Sequence, residues 1–306
     1  MTSGNKGKKA LGSVLLLLTA LIWGIAFVAQ SVGMESVGPF TFSAVRILLG
    51  AAVLIPVAII GGKRDRALLP PDQLKSLRRK TWIHGIILGV VFCAAVNFQQ
   101  FAFYDSTPGK IAFITAMYIF FVPIISLLIG RRSPFMVWIC AAVAAVGLYL
   151  LCIGGNDMGG FNRGDALALI CSIIFAVHIL LIDRYAPGAN GAMLSCVQFL
   201  TAGIISGILM FIFEKPDIAA IADAAVPILY AGILSCGAAY TLQIIGQKYT
   251  EPTVASLLMC MESVFAVIAS AVILGQYMKP VETAGCVIMF AAIILSQIFV
   301  NRKKQD

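Results

Sequence analysis

Ten stretches of about twenty mostly apolar residues, with no separator longer than 21 residues, constrain this chain more than any other feature. A helix rises about 1.5 Å per residue, so ~20 apolar residues cross a hydrocarbon core ~30 Å thick. Inside lipid every backbone N–H and C=O needs an internal partner, which for continuous apolar runs means an α-helix. The sequence predicts an all-α polytopic membrane protein with ten transmembrane helices. The first five run Ala10 to Gln30, Pro39 to Ile60, Trp82 to Tyr104, Pro108 to Ile129 and Phe135 to Ile153. The second five run Gly164 to Ile182, Ala192 to Phe213, Val226 to Gln247, Pro252 to Leu274 and Pro280 to Val300. Gly61 to Thr81 reads as the longest loop, so the chemistry belongs inside the bundle or at its rims.

Composition excludes several function classes. Of 306 residues, 60% are hydrophobic and 12% charged, against about 25% charged in a soluble domain. The net charge of +8 is too thinly spread for a nucleic-acid face, and no nucleic-acid partner is expected. The eight cysteines lie in or at the edges of apolar stretches without a C-x-x-C pair, as small packing hydrophobes do. No phosphate loop, H-E-x-x-H, G-x-S-x-G or paired His/Asp cluster is present. No catalytic residues, cofactor or metal are expected, and ATP-driven pumping by this chain alone is excluded.

Charge also orients the spans. Lys6, Lys8 and Lys9 precede an apolar run that contains Trp23 and lacks a small-x-small cleavage site, so it reads as a retained first helix. With the amino terminus in the cytoplasm, 17 of the 22 Lys and Arg fall inside. Lys110, Arg163, Lys215 and Lys279 fall outside, and Arg46 lies within span two. The asymmetry predicts a multi-pass protein of the plasma (inner) membrane with both termini cytoplasmic.

The two halves of the chain align with each other at offsets of about 144 to 152 residues. Leu21-Ile22-Trp23-Gly24 lies over Ile173-Ile174-Phe175-Ala176, Arg46 over Gln198, and Gln99 over Gln243. Thr107-Pro108 lies over Glu251-Pro252, and Gly130 over Gly275. Five spans per copy place the second copy upside down, giving two inverted five-helix repeats over 10–153 and 164–300. Such repeats exchange conformations to give alternating access.

The segments "LTALIWGIAFVAQ", "FAFYDSTPGKIAFITAMYIFFVPIISLLIG" and "YTEPTVASLLMCMESVFAVIASAVILGQYMKPVETAGCVIMFAAIIL", with Arg46 between the first two, resemble the EamA family of the drug/metabolite transporter superfamily. The resemblance covers nearly the whole chain. Ser263 after Glu262, Gln276 after Gly275 and Phe175 in place of a tryptophan depart from the family's usual pattern. The resemblance implies ten helices in two EamA repeats and export or exchange of small metabolites, without choosing among amino acids, nucleobases, sugars and amphiphiles.

Ionisable groups at membrane depth cost about 2.5–3.5 kcal/mol on insertion scales, so each must face a partner or a wet cavity. Glu262, near the middle of span nine, is a candidate for proton coupling or for holding a substrate amine, or alternatively bonds across a packing seam. Arg46 is a candidate for a substrate carboxylate or phosphate through its planar fork, or snorkels to the rim. His178 is a second candidate for proton coupling, or an interface residue. Asn97, Gln100 and Tyr104 on span three and Tyr240, Gln243 and Gln247 on span eight share a 0, 3, 7 spacing. Each set marks one helix face and a polar path, or bonds to neighbouring helices. Tyr118, nearly over Glu262 in the repeat alignment, and Trp23 are candidate cavity walls or packing residues.

The function these features predict is a secondary carrier of a small polar or amphipathic, amino-acid-like solute, working by alternating access with proton coupling as an option. The rival classes are an intramembrane lipid head-group enzyme, which calls for converging His, Asp or Glu, and a non-transporting membrane sensor or partner. The expected partners are the solute and the lipid bilayer. Monomer and homodimer are left open.

Overall fold

The computed structural model describes residues 3–106, 108–131, 135–153, 162–274 and 279–302, and every regular element in them is helical. The chain begins with α1 (Ser3–Gly33), α2 (Pro39–Leu68) and α3 (Pro71–Ala102). Both α2 and α3 open on proline, whose fixed φ and missing N–H suit the first helical turn. The 61–81 segment expected as a loop is helical except at Leu69 and Pro70, where the chain is extended. Its Lys, Arg, Gln and Leu residues are good helix formers, and only the residues preceding proline are pushed from the α region.

The fourth apolar stretch is broken into α4 (Pro108–Ala116) and α5 (Tyr118–Leu128). Near its C-terminus α5 is closed by Gly130 at φ 80°, with Arg131 N donating to Ser126 O (2.9 Å) and Gly130 N to Leu127 O (3.0 Å). That is a Schellman closure, which needs a left-handed residue at this position. Its repeat mate Gly275 and the neighbouring Gln276 lie outside the described residues. Then follow α6 (Phe135–Ile153), α7 (Arg163–Tyr185) and α8 (Gly191–Phe213).

After a short α9 (Ile218–Asp223), the next stretch is α10 (Ala225–Leu229), a π-helical segment Tyr230–Ala239, and α11 (Tyr240–Gln247). The ninth apolar stretch is again broken, into α12 (Pro252–Met259) and α13 (Glu262–Leu274), and α14 (Pro280–Arg302) ends the fold. The two breaks fall 144 residues apart, at Tyr118 and Glu262. Each is a local tightening to i−3 bonds: Met117 N to Ile114 O (3.2 Å), Met261 N to Leu258 O (3.4 Å) and Ser263 N to Cys260 O (3.2 Å).

Among the described residues, eight helical stretches are long and apolar enough to cross a membrane. Two further apolar helices, α6 and α14, pack along each other. α2 lies along α8, α3 against α7 and α8, and α1 against α13, α11 and the π segment. The largest core cluster gathers Trp23, Phe92, Tyr118, Phe175, Phe199 and Tyr240 in its middle.

Polar contacts tie helix ends together in two sets. In one, Asn162 caps α7 in a reciprocal box with Asp165, which also takes the Ser106 hydroxyl (2.5 Å) and the Lys110 ammonium (2.5 Å). The Glu214 carboxylate at the end of α8 caps α2 from outside, accepting from Phe40 N (2.9 Å), Thr41 N (2.8 Å) and Thr41 Oγ1 (2.6 Å). In the other set Arg131 pairs with Asp183, Asn190 Nδ2 donates to Asp65 (3.3 Å), and Lys248 donates to the Ala189 carbonyl.

Candidate functional site

A narrow cavity lies where α1, α2, α3, α4, α5, α7, the π segment, α11 and α13 converge. Helical periodicity brings Trp23, Ala26, Phe27 and Gln30 of α1 to its wall, at spacings 0, 3, 4 and 7. Tyr240 and Gln243 do the same from α11, and Phe175 and Ile179 from α7. Arg46, Gln99, Thr115, Tyr118, Ser235 and Glu262 complete the lining.

The two ionisable residues of the lining, Glu262 and Arg46, occupy different surroundings. Glu262 is 4% exposed and is the first residue of α13, so its carboxylate sits at the positive end of that helix. Its Oε1 accepts the Tyr118 hydroxyl at 3.0 Å. Tyr118 is in turn the first residue of α5, so this bond joins the two helix breaks. Arg46, 2% exposed, lies 5.6 Å from the centre of the Phe42 ring, and its Nε and Nη2 have no hydrogen-bond partner. The π segment comes close here: a Cβ on Gly232 would stand 2.9 Å from the Arg46 carbonyl oxygen.

Arg46 and Glu262 line one cavity without forming an ion pair with each other. The Tyr240 ring meets Trp23 at 4.5 Å between centroids. Other lining groups keep unused hydrogen-bonding capacity: Trp23 Nε1, Gln30 Oε1 and Gln243 Oε1 are buried without a protein partner. Buried polar atoms are ordinarily satisfied, so these lining atoms are free to take a partner from within the cavity.

Of the residues singled out from sequence, Trp23, Arg46, Tyr118, Tyr240, Gln243 and Glu262 meet at this cavity. Asn97, Gln100 and His178 do not line it. Asn97 Nδ2 donates to Cys93 O (2.8 Å) and Ser206 Oγ (3.1 Å), beside a separate apolar groove bounded by Phe40, Phe98 and Phe101. Gln100 is fully buried with neither amide atom partnered. His178 is fully buried behind the wall, its Nε2 3.1 Å from Gln198 Oε1 and its ring 6.3 Å from Tyr240. Tyr104 is 61% exposed, and Gln247 donates to the Ile179 carbonyl at 2.9 Å.

Sequence reasoning about the site missed Gln30, Gln99, Thr115, Ser235 and Phe175. The self-alignment had already set Gln99 over Gln243 and Phe175 over Trp23, and all four line the cavity. Gln99 Nε2 donates to Thr115 Oγ1 at 3.3 Å, which holds α3 to α4 at the wall.

An all-helical multi-pass membrane protein enclosing a buried polar cavity is the class these features define. The chain belongs to the EamA-like transporter family, whose model matches residues 10–153 and 162–298. It is 27% identical over 304 residues to an uncharacterized transporter of Archaeoglobus fulgidus, covering 97% of this chain and 89% of the relative. It is 25% identical to the uncharacterized inner membrane transporter YedA of Escherichia coli K12, over 90% of this chain and 87% of the relative. The threonine/homoserine exporter RhtA of the same organism is also 25% identical, with 95% and 92% covered. A solved crystal structure shares the fold at a TM-score of 0.76 and 19% identity, covering 95% of this chain and 98% of that one.

Proposed function

We propose that the protein is a secondary carrier that exports or exchanges a small, polar, amino-acid-like solute by alternating access around the central cavity. One observation carries the proposal: a guanidinium, Arg46, and a carboxyl group, Glu262, line the same buried cavity and leave each other unpaired. Keeping separate charges out of water is costly unless something completes them, and a zwitterion brings both complements at once. The planar guanidinium takes a carboxylate in a fork, and Glu262 takes the ammonium, with the Trp23 and Tyr240 ring faces beside it. The amides of Gln30, Gln99 and Gln243 and the hydroxyls of Thr115 and Ser235 suit a solute with a polar side chain. The family member named as a threonine/homoserine exporter handles solutes of this chemistry.

Glu262 also provides coupling. Its carboxylate holds either a proton or a substrate ammonium, so loading one releases the other and inward proton flow drives solute outward. His178, behind Tyr240 with an unpartnered Nδ1, is the second group proposed for proton transfer.

The motion belongs to ten spans arranged as two inverted repeats, 10–153 and 164–300, with both termini cytoplasmic in the plasma (inner) membrane. The paired helix breaks at Tyr118 and Glu262 support this arrangement, because discontinuous helices at a repeat interface are where such carriers build their binding sites. The test is counterflow in proteoliposomes loaded with a zwitterionic amino acid such as threonine. Labelled threonine should accumulate transiently against its gradient; passive equilibration indistinguishable from empty liposomes would refute the proposal.

A further inference from the structure

A second cleft is lined by Gln73, Ser76, Leu77, Lys80, Thr81 and His84 of α3, by Tyr185 at the end of α7 and by Pro187, Gly188 and Ala189 of the α7–α8 connection. The α3 residues fall at spacings 0, 3, 4, 7, 8 and 11, so one continuous helix face forms its wall. The floor is rigid: the His84 and Tyr185 rings stack at 4.0 Å with 11° between planes. Gly188, at φ 77°, turns the opposite wall, and a Cβ there would meet nothing within 4 Å.

The charge lining this cleft is basic. Lys80 lines it, Arg184 acts electrostatically on His84 together with Lys80, and the same turns of α3 carry Lys75, Arg78 and Arg79. Asp72 is the acidic residue of this helix start. On the facing side Asp183 of α7 is taken by Arg131, and the Asp65 carboxylate accepts from Asn190 Nδ2 (3.3 Å), next to Ala189 of the lining. Neither Lys80 nor Arg184 belongs to an ion pair among the described residues. The concave polar wall of Ser76 and Gln73 beside Lys80 therefore presents donors and positive charge to whatever enters, the recognition chemistry of an anionic phosphate ester.

Position decides its source. Immediately beyond Lys80, α3 changes to a strongly exposed apolar surface: Trp82 is 49%, Ile83 45%, Ile86 45% and Val90 50% exposed. Those side chains face hydrocarbon, and a tryptophan at such a boundary marks head-group level. A ligand whose phosphate rests on Lys80 thus has an exposed apolar track on the adjoining flank of α3, about one to three turns further along. A free phosphate has no use for that track; a glycerophospholipid does.

We propose that this cleft binds the head group of an anionic phospholipid, its phosphodiester held by Lys80 with Arg184 near, and its acyl chains lying along Ile83, Ile86 and Val90. The site is separate from the transport cavity and does not depend on what that cavity carries. Basic pockets between spanning helices at head-group level are suited to such lipids.

The test is native mass spectrometry of the purified full-length protein released from mixed micelles of phosphatidylglycerol and phosphatidylcholine with identical acyl chains. Wild-type protein should retain phosphatidylglycerol several-fold over phosphatidylcholine. Lys80→Gln should cut that preference about fivefold, and the Lys80→Gln/Arg184→Gln double variant further, from roughly 1 kcal/mol per surface cation. Lys215→Gln, an exposed lysine beyond α8, should leave it unchanged, and matching melting temperatures for all variants exclude misfolding. Equal retention of the two lipids, or a double variant as selective as wild type, would overturn the proposal. So would thermal protection by millimolar inorganic phosphate equal to that by phosphatidylglycerol, since the cleft would then read the phosphate without the lipid.

Discussion

Gly24 sits where α1 presses on α13, and alanine there should pull the cavity apart. A Cβ at Gly24 would stand 2.5 Å from Phe265 Cβ, 2.7 Å from the Glu262 carbonyl oxygen and 2.8 Å from Ala266 N. All three atoms belong to α13 and two are backbone, so no side-chain rotation relieves the contact. Carbon atoms settle at about 3.5–4.0 Å, so the helices must part by about 1 Å. The neighbouring Trp23 then moves away from Glu262, widening the wall that the two residues share. Overpacking of this kind costs about 1–3 kcal/mol, which lowers stability without abolishing folding. A misplacement of about 1 Å in a functional site costs on the order of 100-fold in rate when orientation matters. Gly24→Ala should therefore elute as folded protein, melt earlier than wild type, and lose at least about tenfold in counterflow rate. Gly207→Ala is the control, because a Cβ there meets nothing within 4 Å, and it should transport normally. A Gly24→Ala protein that melts and transports like wild type would refute the claim that this seam fixes the cavity.

Tyr118→Phe removes the hydroxyl that satisfies Glu262 at 3.0 Å, which should cost about 1–3 kcal/mol of stability. A thermal double-mutant cycle with Glu262→Gln should show coupling, and strictly additive losses would contradict the bond. Glu214→Gln weakens the charged cap on α2 and should cost about 1 kcal/mol in thermal unfolding; an unchanged melt would assign the capping to the backbone alone. Arg46→Gln should raise the KM of carboxylate-bearing solutes at least about tenfold while sparing analogues that lack the carboxylate. Equal loss for both would make Arg46 a structural residue.

Helix class was legible because apolar runs of this length leave a chain one way to cross lipid. Periodicity with the self-alignment also picked out Trp23, Arg46, Tyr118, Tyr240, Gln243 and Glu262, which meet at one cavity. The helix breaks were not legible. The conspicuous breakers are prolines, yet Pro56 lies inside continuous α2, and the chain breaks at Met117 and at Cys260–Met261 instead. What tightens the backbone there is a set of i−3 bonds, helped by Cys260 Sγ donating to Leu257 O at 3.0 Å, a contact that composition does not signal. The face of α3 was misjudged for a related reason. The 97, 100, 104 stripe has helical spacing, but Asn97 is drawn to Ser206 of α8, and it is Gln99 that lines the cavity. Spacing defines a stripe; the neighbours decide which stripe faces inward. The basic segment between α2 and α3 misled in the same way, since charge read as loop where it marks two helices continuing past the apolar boundary.

The most direct measurement is threonine counterflow in proteoliposomes, with wild-type protein and Glu262→Gln reconstituted to equal folded amounts. Wild type should show transient accumulation of labelled threonine that responds to an imposed proton gradient. Glu262→Gln, which keeps the shape of the side chain but loses the group that exchanges proton for ammonium, should lose both the accumulation and the response. Accumulation and proton response equal to wild type in Glu262→Gln would contradict the role assigned to the cavity's carboxylate.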